Sequence, residues 1–138
     1  MSQAFVERYE EIQRRAGRTR SVTPQQMLAA WRAFVGSCGE GYEESLTQYF
    51  YDLRIRDAIE LALSDTGLSA LDGYTRFRSA VHEVDDRFRR VATKNLPIQH
   101  PERYAWWHRL VPGRAGEEFA QQLQEEFGLR IDVVREGG

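Results

Sequence analysis

The sequence has little cysteine, little lysine and no long apolar run. Its one cysteine, Cys38, rules out an intramolecular disulfide and leaves a cysteine-based zinc site without enough ligands. No stretch approaches the roughly 20 apolar residues that span a bilayer. The first residues also lack the basic start and apolar middle of a secretory signal. These absences favour a cytoplasmic protein, and we expect no membrane partner.

The common catalytic signatures are missing as well. The chain has no Walker loop, no dinucleotide fingerprint, no nucleophile elbow and no Ser, His and Asp arrangement. The glycine-rich stretch GSCGEG at 36–41 follows a segment with a helical pattern, whereas a phosphate-binding loop follows a strand. We therefore predict a plain break at 36–41, an unreactive Cys38, no bound cofactor, and more weakly no enzymatic activity.

Length and composition fit a globular domain. The 138 residues are 41% hydrophobic and 29% charged, which is close to the average for one folded domain. The predicted fold class is mainly α, leaning towards α+β, with about six helices in a single compact, bundle-like domain. We expect a helical core at 1–95, a strand, helix and strand unit at 96–134, and a flexible tail at 135–138.

Three local patterns support the helices. Thr23, Pro24 and Gln26 form a capping box that predicts a helix start. Within 42–65 the apolar phase changes, which predicts a kink or break near Asp52. The most regular helix is predicted from 74 to 91, where one stripe recurs at steps of four and three: Phe77, Val81, Val84, Phe88 and Val91.

The back of the helix at 74–91 carries acids placed four residues before arginines. This spacing predicts three surface ion pairs, which join Glu83 to Arg87, Asp85 to Arg89 and Asp86 to Arg90. On this basis we expect the ionisable groups of the chain to lie on the outside of packed helices.

The segment YAWWHRLV at 104–111 has two interpretations. As a helix it would bury both tryptophan rings on one arc, and as a strand from 106 to 111 it would point them to opposite faces. We favour the strand because LRIDVV at 129–134 alternates like a strand and needs a partner for its backbone groups. A helix at 115–127 would then be the crossover between two parallel strands.

The tryptophan pair is also the best candidate for an interaction site. Trp106 and Trp107 could either pack in the core or lie partly exposed and contact a partner. Tryptophan and arginine are enriched among the residues that dominate protein interfaces. The predicted partner-binding residues are Trp106, Trp107, Arg103, Arg109 and Arg114. We expect Trp107 and Arg109 to contribute to binding without being needed for folding.

Two alternative sites are weaker. His82 and Asp86 lie four apart on the predicted helix, so with Glu83, Glu43 and Glu44 they could bind a metal in a metal-dependent hydrolase.

The second alternative is an accessory protein that binds nucleic acid through the Arg-rich stretch RRAGRTR. Four arginines carry this hypothesis: Arg14, Arg15, Arg18 and Arg20. An isoelectric point of about 5.9 and the lack of a recognisable nucleic-acid module oppose it.

The charge pattern favours a protein partner. The net charge of −2 combines an acidic stretch at 40–72 with basic flanks at 1–20 and 76–94. We therefore expect a small cytoplasmic protein-binding module without catalytic activity, such as an adaptor, an inhibitor or an immunity-type factor. Its partner is expected to be another protein, with a homodimer as the alternative.

Overall fold

The computed structural model describes residues 2–18, 20 and 22–134, so the predicted tail at 135–138 lies outside the described residues. The chain is mainly helical with a small amount of β-structure, which confirms the predicted fold class. The helices are α1 Gln3–Arg15, α2 Pro24–Gly41, α3 Leu46–Asp52, α4 Arg54–Leu63, α5 Thr66–Ser69, α6 Tyr74–Val91 and α7 Glu117–Phe127. The strands are β1 Lys94–Asn95, β2 Leu110–Val111, β3 Arg114–Ala115 and β4 Asp132–Val133. None of these helices is both long and apolar enough to cross a membrane.

The start of α2 confirms the predicted capping box. The Gln26 amide donates to Thr23 Oγ1 at 3.1 Å, and the Thr23 amide donates in return to Gln26 Oε1 at 3.0 Å. Both side chains satisfy backbone N–H groups that have no partner inside the helix. The predicted break near Asp52 is also confirmed, since α3 ends at Asp52 and α4 begins at Arg54.

The predicted break at 36–41 is wrong, because α2 continues through this stretch to Gly41. Cys38 is buried in the middle of it, with 1% of its surface exposed. Burial on the core side of the helix outweighs the low helix propensity of the glycines. The helix ends at Gly41, whose φ of 101° is a conformation that favours glycine.

Contacts divide the chain into two units. Unit 1 comprises Met1–Arg32 and Arg54–Asp85. Its core is formed by one face each of α1, α4 and α6 together with the first half of α2. The ring of Phe77 packs edge-on against Phe5 and Tyr9, with 5.7 Å between the centroids in both pairs. Other buried hydrophobic side chains of this unit are Met27, Trp31, Ala58, Ile59, Ala62, Leu68, Val81 and Val84.

Unit 2 comprises Ala33–Leu53 and Asp86–Gly138, and its core is rich in aromatic rings. Tyr49 lies at its centre, 5.5 Å from the rings of Phe34 and Tyr42 and 5.2 Å from Phe119. Its hydroxyl donates to the Leu110 carbonyl at 2.7 Å. The phenolic group is therefore buried with a partner, which avoids the cost of an unpaired polar atom.

The β-structure corrects the expected strand at 106–111. Residues 106–109 form a 3₁₀ turn, and only 110–111 are extended, as β2, which pairs antiparallel with β1. The parallel partner of β4 is β3, with Arg114 opposite Asp132. The predicted crossover helix is confirmed as α7, although it begins at Glu117 rather than 115, and the strand before it begins at 114 rather than 106.

Helix α6 has the predicted stripe, with Phe77, Val81, Val84 and Phe88 all buried. Two of the ion pairs predicted for its back are wrong. Asp85 is 2% exposed and does not lie on the solvent side, and Arg89 pairs with Asp86 at 3.1 Å. The stripe is wider than the sequence indicated, because burial extends to the position next to Val84.

Candidate functional site

A groove of about 460 Å³ on unit 2 is lined by Trp106 together with residues from α6, β1 and β2, and we call it the Trp106 groove. Its other lining residues are Arg89, Asn95, Leu96, Pro101, Arg109 and Leu110. Two of the five predicted partner-binding residues, Trp106 and Arg109, therefore lie in one concave surface. Apolar walls around a few polar groups are typical of binding sites.

The Trp106 ring is held from several sides. The Arg89 guanidinium lies over its face, with Cζ 3.7 Å from the ring centroid. Phe88 packs at 6.1 Å and Trp107 meets the ring at a right angle at 5.6 Å. Asp86 fixes the other end of the stack, because it accepts from Arg89 Nη1 at 3.1 Å. The indole is therefore partly exposed but held in one orientation.

Trp107 has a different environment from its neighbour. Only 5% of its surface is exposed, and the His108 ring packs against it at 5.9 Å. Trp107 is therefore a core residue that supports the Trp106 groove from inside, and its ring is not available for direct contact with a partner. The 3₁₀ turn at 106–109 gives the two rings different environments although they touch, because consecutive side chains of such a turn point in different directions.

The wall at Pro101 depends on an uncommon backbone conformation. His100 has φ 54° and ψ 57°, in the left-handed region, immediately before a proline. Residues with a side chain rarely adopt this region, and a following proline restricts them further. Strands β1 and β2 provide other parts of the lining, and the Leu96 amide next to β1 donates to the Arg109 carbonyl next to β2 at 2.8 Å.

The segment that builds the groove is strongly basic. Residues 87–114 contain seven arginine or lysine side chains against one acid, Glu102, a net charge of +6. The next stretch, 115–128, has four glutamates and no basic residue. Among the described residues, none that lines the Trp106 groove is acidic. The charged side chains that line the groove, Arg89 and Arg109, are both positive, which favours an anionic group there.

The other predicted partner-binding residues lie outside the Trp106 groove. Arg103 is exposed in a 3₁₀ turn, Pro101–Arg103. Arg114 lines a separate hollow of about 400 Å³ with Arg90 and Lys94, and its Nη2 donates to the Gly39 carbonyl at 3.1 Å. That carbonyl belongs to the last turn of α2, so Arg114 offsets the negative end of a helix.

The residues of the metal hypothesis are exposed side chains. This applies to His82, Glu83, Asp86, Glu43 and Glu44 alike. Over residues 2–18, 20 and 22–134, no group of three or more His, Cys, Asp or Glu side chains is placed to hold a metal ion. Asp86 already accepts a hydrogen bond from Arg89. Nothing in the described structure favours the metal-dependent hydrolase.

The arginines of the nucleic-acid hypothesis are only partly available. Arg15 pairs with Glu11 at 2.6 Å, and Arg18 donates to Gln13 Oε1 at 3.0 Å. Arg14 and Arg20 are exposed. Two of the four arginines thus already bind side chains of this chain. Nothing in the described structure brings the four together into one surface for nucleic acid.

Cys38 has the environment of a structural thiol. Burial raises the pKa of the Cys38 thiol, and the nearby Asp52 carboxylate raises it further. The thiolate is the nucleophilic form, so a thiol with a raised pKa is a weak nucleophile at neutral pH. Burial in the same core also raises the pKa of Tyr42, whose hydroxyl donates to Asp52 Oδ2 at 2.7 Å. These groups stay neutral and hold the core of unit 2 together.

Sequence reasoning missed several residues of the Trp106 groove. Arg89 was predicted to form a surface ion pair and Leu110 to lie in the strand at 106–111, so neither was predicted to line a binding surface. The high positive charge of 87–114 was the available signal, since it links the end of α6 to the tryptophan segment.

Comparisons with protein-family models, curated proteins and solved structures give no match for this chain. The functional conclusion therefore depends on the groove itself.

Proposed function

We propose that this chain is a non-catalytic protein-binding module, acting in the cytoplasm as an adaptor, an inhibitor or an immunity-type factor. Its partner contacts the Trp106 groove. The observation that carries the proposal is the Arg89 guanidinium stacked 3.7 Å from the Trp106 ring centroid, inside a concave surface whose described lining residues include no acid.

The chemistry of the groove supports a protein partner. Trp and Arg side chains dominate binding energy in protein interfaces when they lie in packed, concave surfaces. Trp106 is already held by Phe88, Arg89 and Trp107. Binding therefore orders few additional side chains, which lowers the entropic cost of association.

Long-range electrostatics support the same surface. The net charge of +6 over 87–114 attracts an acidic partner and speeds its approach at low salt. The four glutamates of α7 carry the opposite charge, so a second copy of the chain is the alternative partner. The oligomeric state in solution distinguishes a homodimer from a complex with a different protein.

Each predicted residue has its own role in this proposal. Trp106 and Arg109 contact the partner directly. Arg103 and the exposed Tyr104 lie beside the groove in sequence and meet the edge of the partner. Trp107 supports the surface from inside. Arg114 contributes through charge rather than contact.

Photocrosslinking tests the proposal. A photoreactive phenylalanine analogue is placed at Tyr104, which is 52% exposed next to the groove, and separately at Tyr51, a control that is 63% exposed. In cells of the source organism we expect a defined adduct from position 104 and none from position 51. Mass spectrometry identifies the crosslinked protein.

A charge reversal provides the specificity control. Arg109→Glu, combined with the crosslinker at position 104, is expected to abolish the adduct, while Arg130→Glu on the same unit leaves it intact. Circular dichroism checks that both variants are folded. An adduct that survives Arg109→Glu, or equal adducts from positions 51 and 104, contradicts the proposal.

A further inference from the structure

The Trp106 groove contains an arginine without a counter-ion. Arg109 is partly buried, and it forms no side-chain hydrogen bond or ion pair within residues 2–18, 20 and 22–134. Removing a guanidinium from water without pairing it is unfavourable. The groove therefore favours a ligand that brings a negative charge to Arg109.

Arg89 offers a second set of donors in the same groove. Stacking on Trp106 uses the face of the guanidinium and leaves its N–H groups at the edge of the plane. Asp86 accepts from Nη1 alone. The fork of a guanidinium matches the two oxygens of a carboxylate. Arg89 and Arg109 can thus both point donors at one anion.

The charged side chains at the groove and the ion-pair partner of Arg89 sum to one positive charge, which one negative charge on a ligand would neutralise. Arg89 and Arg109 bring two positive charges, and Asp86 beside them brings one negative charge. A carboxylate balances the remaining charge, whereas a dianionic phosphate would face repulsion from Asp86.

The apolar walls of the groove favour a ligand that also has an apolar group. Leu96, Pro101 and Leu110 line the groove beside the indole of Trp106. A volume of about 460 Å³ is in the range of sites that hold a small ligand or a few side chains. An acidic residue next to an apolar residue would fill both parts of the groove.

On the proposed function as its basis, we infer that the partner inserts an acidic peptide segment, with a carboxylate on Arg109 and Arg89 and a neighbouring apolar side chain against Leu96, Pro101 and Leu110. A nucleic acid fits less well. A base that stacked on the covered face of Trp106 would have to displace Arg89.

Titration of the full chain with two matched peptides tests this inference. One is an eight-residue peptide that alternates glutamate and leucine, and the other has glutamine at every glutamate. Binding is followed by the NMR signals of the indole N–H groups and the arginine side chains. The acidic peptide is expected to bind about tenfold more tightly, since charged hydrogen bonds are lost in the neutral one.

Matched variants locate the effect. Arg109→Gln is expected to remove the preference for the acidic peptide, and Arg130→Gln, at an exposed arginine of the same unit, is expected to keep it. Equal binding of the two peptides, no binding of either at millimolar concentration, or an unchanged preference in Arg109→Gln overturns the inference. Displacement of the acidic peptide by a short oligothymidine at equal concentration also overturns it.

The two proposals fail separately. If position 104 crosslinks to a protein but the two peptides bind equally, the protein-binding function stands and the carboxylate ligand is rejected. A preference for the acidic peptide without any crosslinked protein removes the protein-binding function and leaves a carboxylate site.

Discussion

Arg56 and Asp85 form a bidentate ion pair in the interior of unit 1. Arg56 Nε donates to Asp85 Oδ1 at 2.9 Å and Nη2 donates to Oδ2 at 3.0 Å. The Trp31 indole donates to the same Oδ1 at 3.0 Å. Each charged side chain is 3% exposed. The carboxylate thus connects α2, α4 and α6 through three charge-assisted bonds.

Loss of this carboxylate is expected to destabilise the fold strongly. Asp85→Asn removes the buried counter-ion of Arg56 and leaves its ion pair with the more exposed Glu60, and it is expected to cost about 3 to 5 kcal/mol of unfolding free energy. The control is Asp86→Asn, whose exposed pair with Arg89 contributes less than about 1 kcal/mol. Urea denaturation measures both variants. Similar stabilities for the two would show that the buried pair is replaceable.

The tryptophan pair is expected to divide into a core residue and a surface residue. Trp107→Ala empties a buried site and is expected to cost about 3 to 5 kcal/mol, which the expectation from sequence did not include. Trp106→Ala removes a partly exposed ring and is expected to cost clearly less. Thermal denaturation of the two variants gives the comparison, and an equal loss would place Trp106 in the core as well.

The Arg8–Asp65 pair is expected to make the free energy of unfolding depend on pH in the acidic range. The hydrogen bonds from Arg8 lower the pKa of Asp65 from its ordinary value of 3.8. A carboxyl with a lowered folded-state pKa stabilises the protein fully above its unfolded pKa, and the effect is lost as pH falls through the folded value. Asp65→Asn retains the cap on α5 and is expected to cost about 1 kcal/mol at pH 7.

The cost of Asp65→Asn is expected to shrink below about pH 4 as the wild-type carboxyl takes up a proton. Urea unfolding of both proteins between pH 2.5 and pH 7, in steps of about half a unit, checks this. Asp72→Asn, at an exposed acid of the same unit, is the control for nonspecific charge effects. A difference that stays constant across that range would mean that the ion pair contributes nothing.

Two glycines of α2 are expected to respond in opposite ways to alanine. Gly41 has φ 101°, and a Cβ there would lie 2.6 Å from Val134 Cγ2, so Gly41→Ala is expected to cost about 1 to 3 kcal/mol. Gly36 lies inside the helix with open space around it, so Gly36→Ala is expected to stabilise by about 0.5 to 1 kcal/mol. The denaturant midpoints of the two variants test this prediction, and a higher midpoint for Gly41→Ala than for the wild type would contradict it.

Local patterns were enough for most of the helices. The capping box at Thr23, the stripe of α6 and the break near Asp52 depend on residues within a few positions of one another, and these predictions were right. The continuation of α2 past Gly36 was missed because it depends on the burial of Cys38, and burial is set by distant parts of the chain.

The candidate site was less accessible to sequence reasoning. Trp106 and Arg109 were identified by residue type, but Arg89 meets Trp106 across 17 positions of sequence. The pairing of Asp85 with Arg56 spans 29 positions and outweighs the partner expected four residues away. A pattern of helical spacing cannot distinguish a solvent-facing acid from one that meets a guanidinium on another helix.

The division of the sequence between the two units has a consequence for synthesis on the ribosome. Every residue of unit 1 has been added to the chain once Asp85 is in place, whereas the parallel pairing of β3 with β4 waits for Val133. Segments that emerge first can fold first. Formation of the Arg56–Asp85 pair therefore requires no residue beyond position 85, whereas the pairing of β3 with β4 can form only after Val133 has been added.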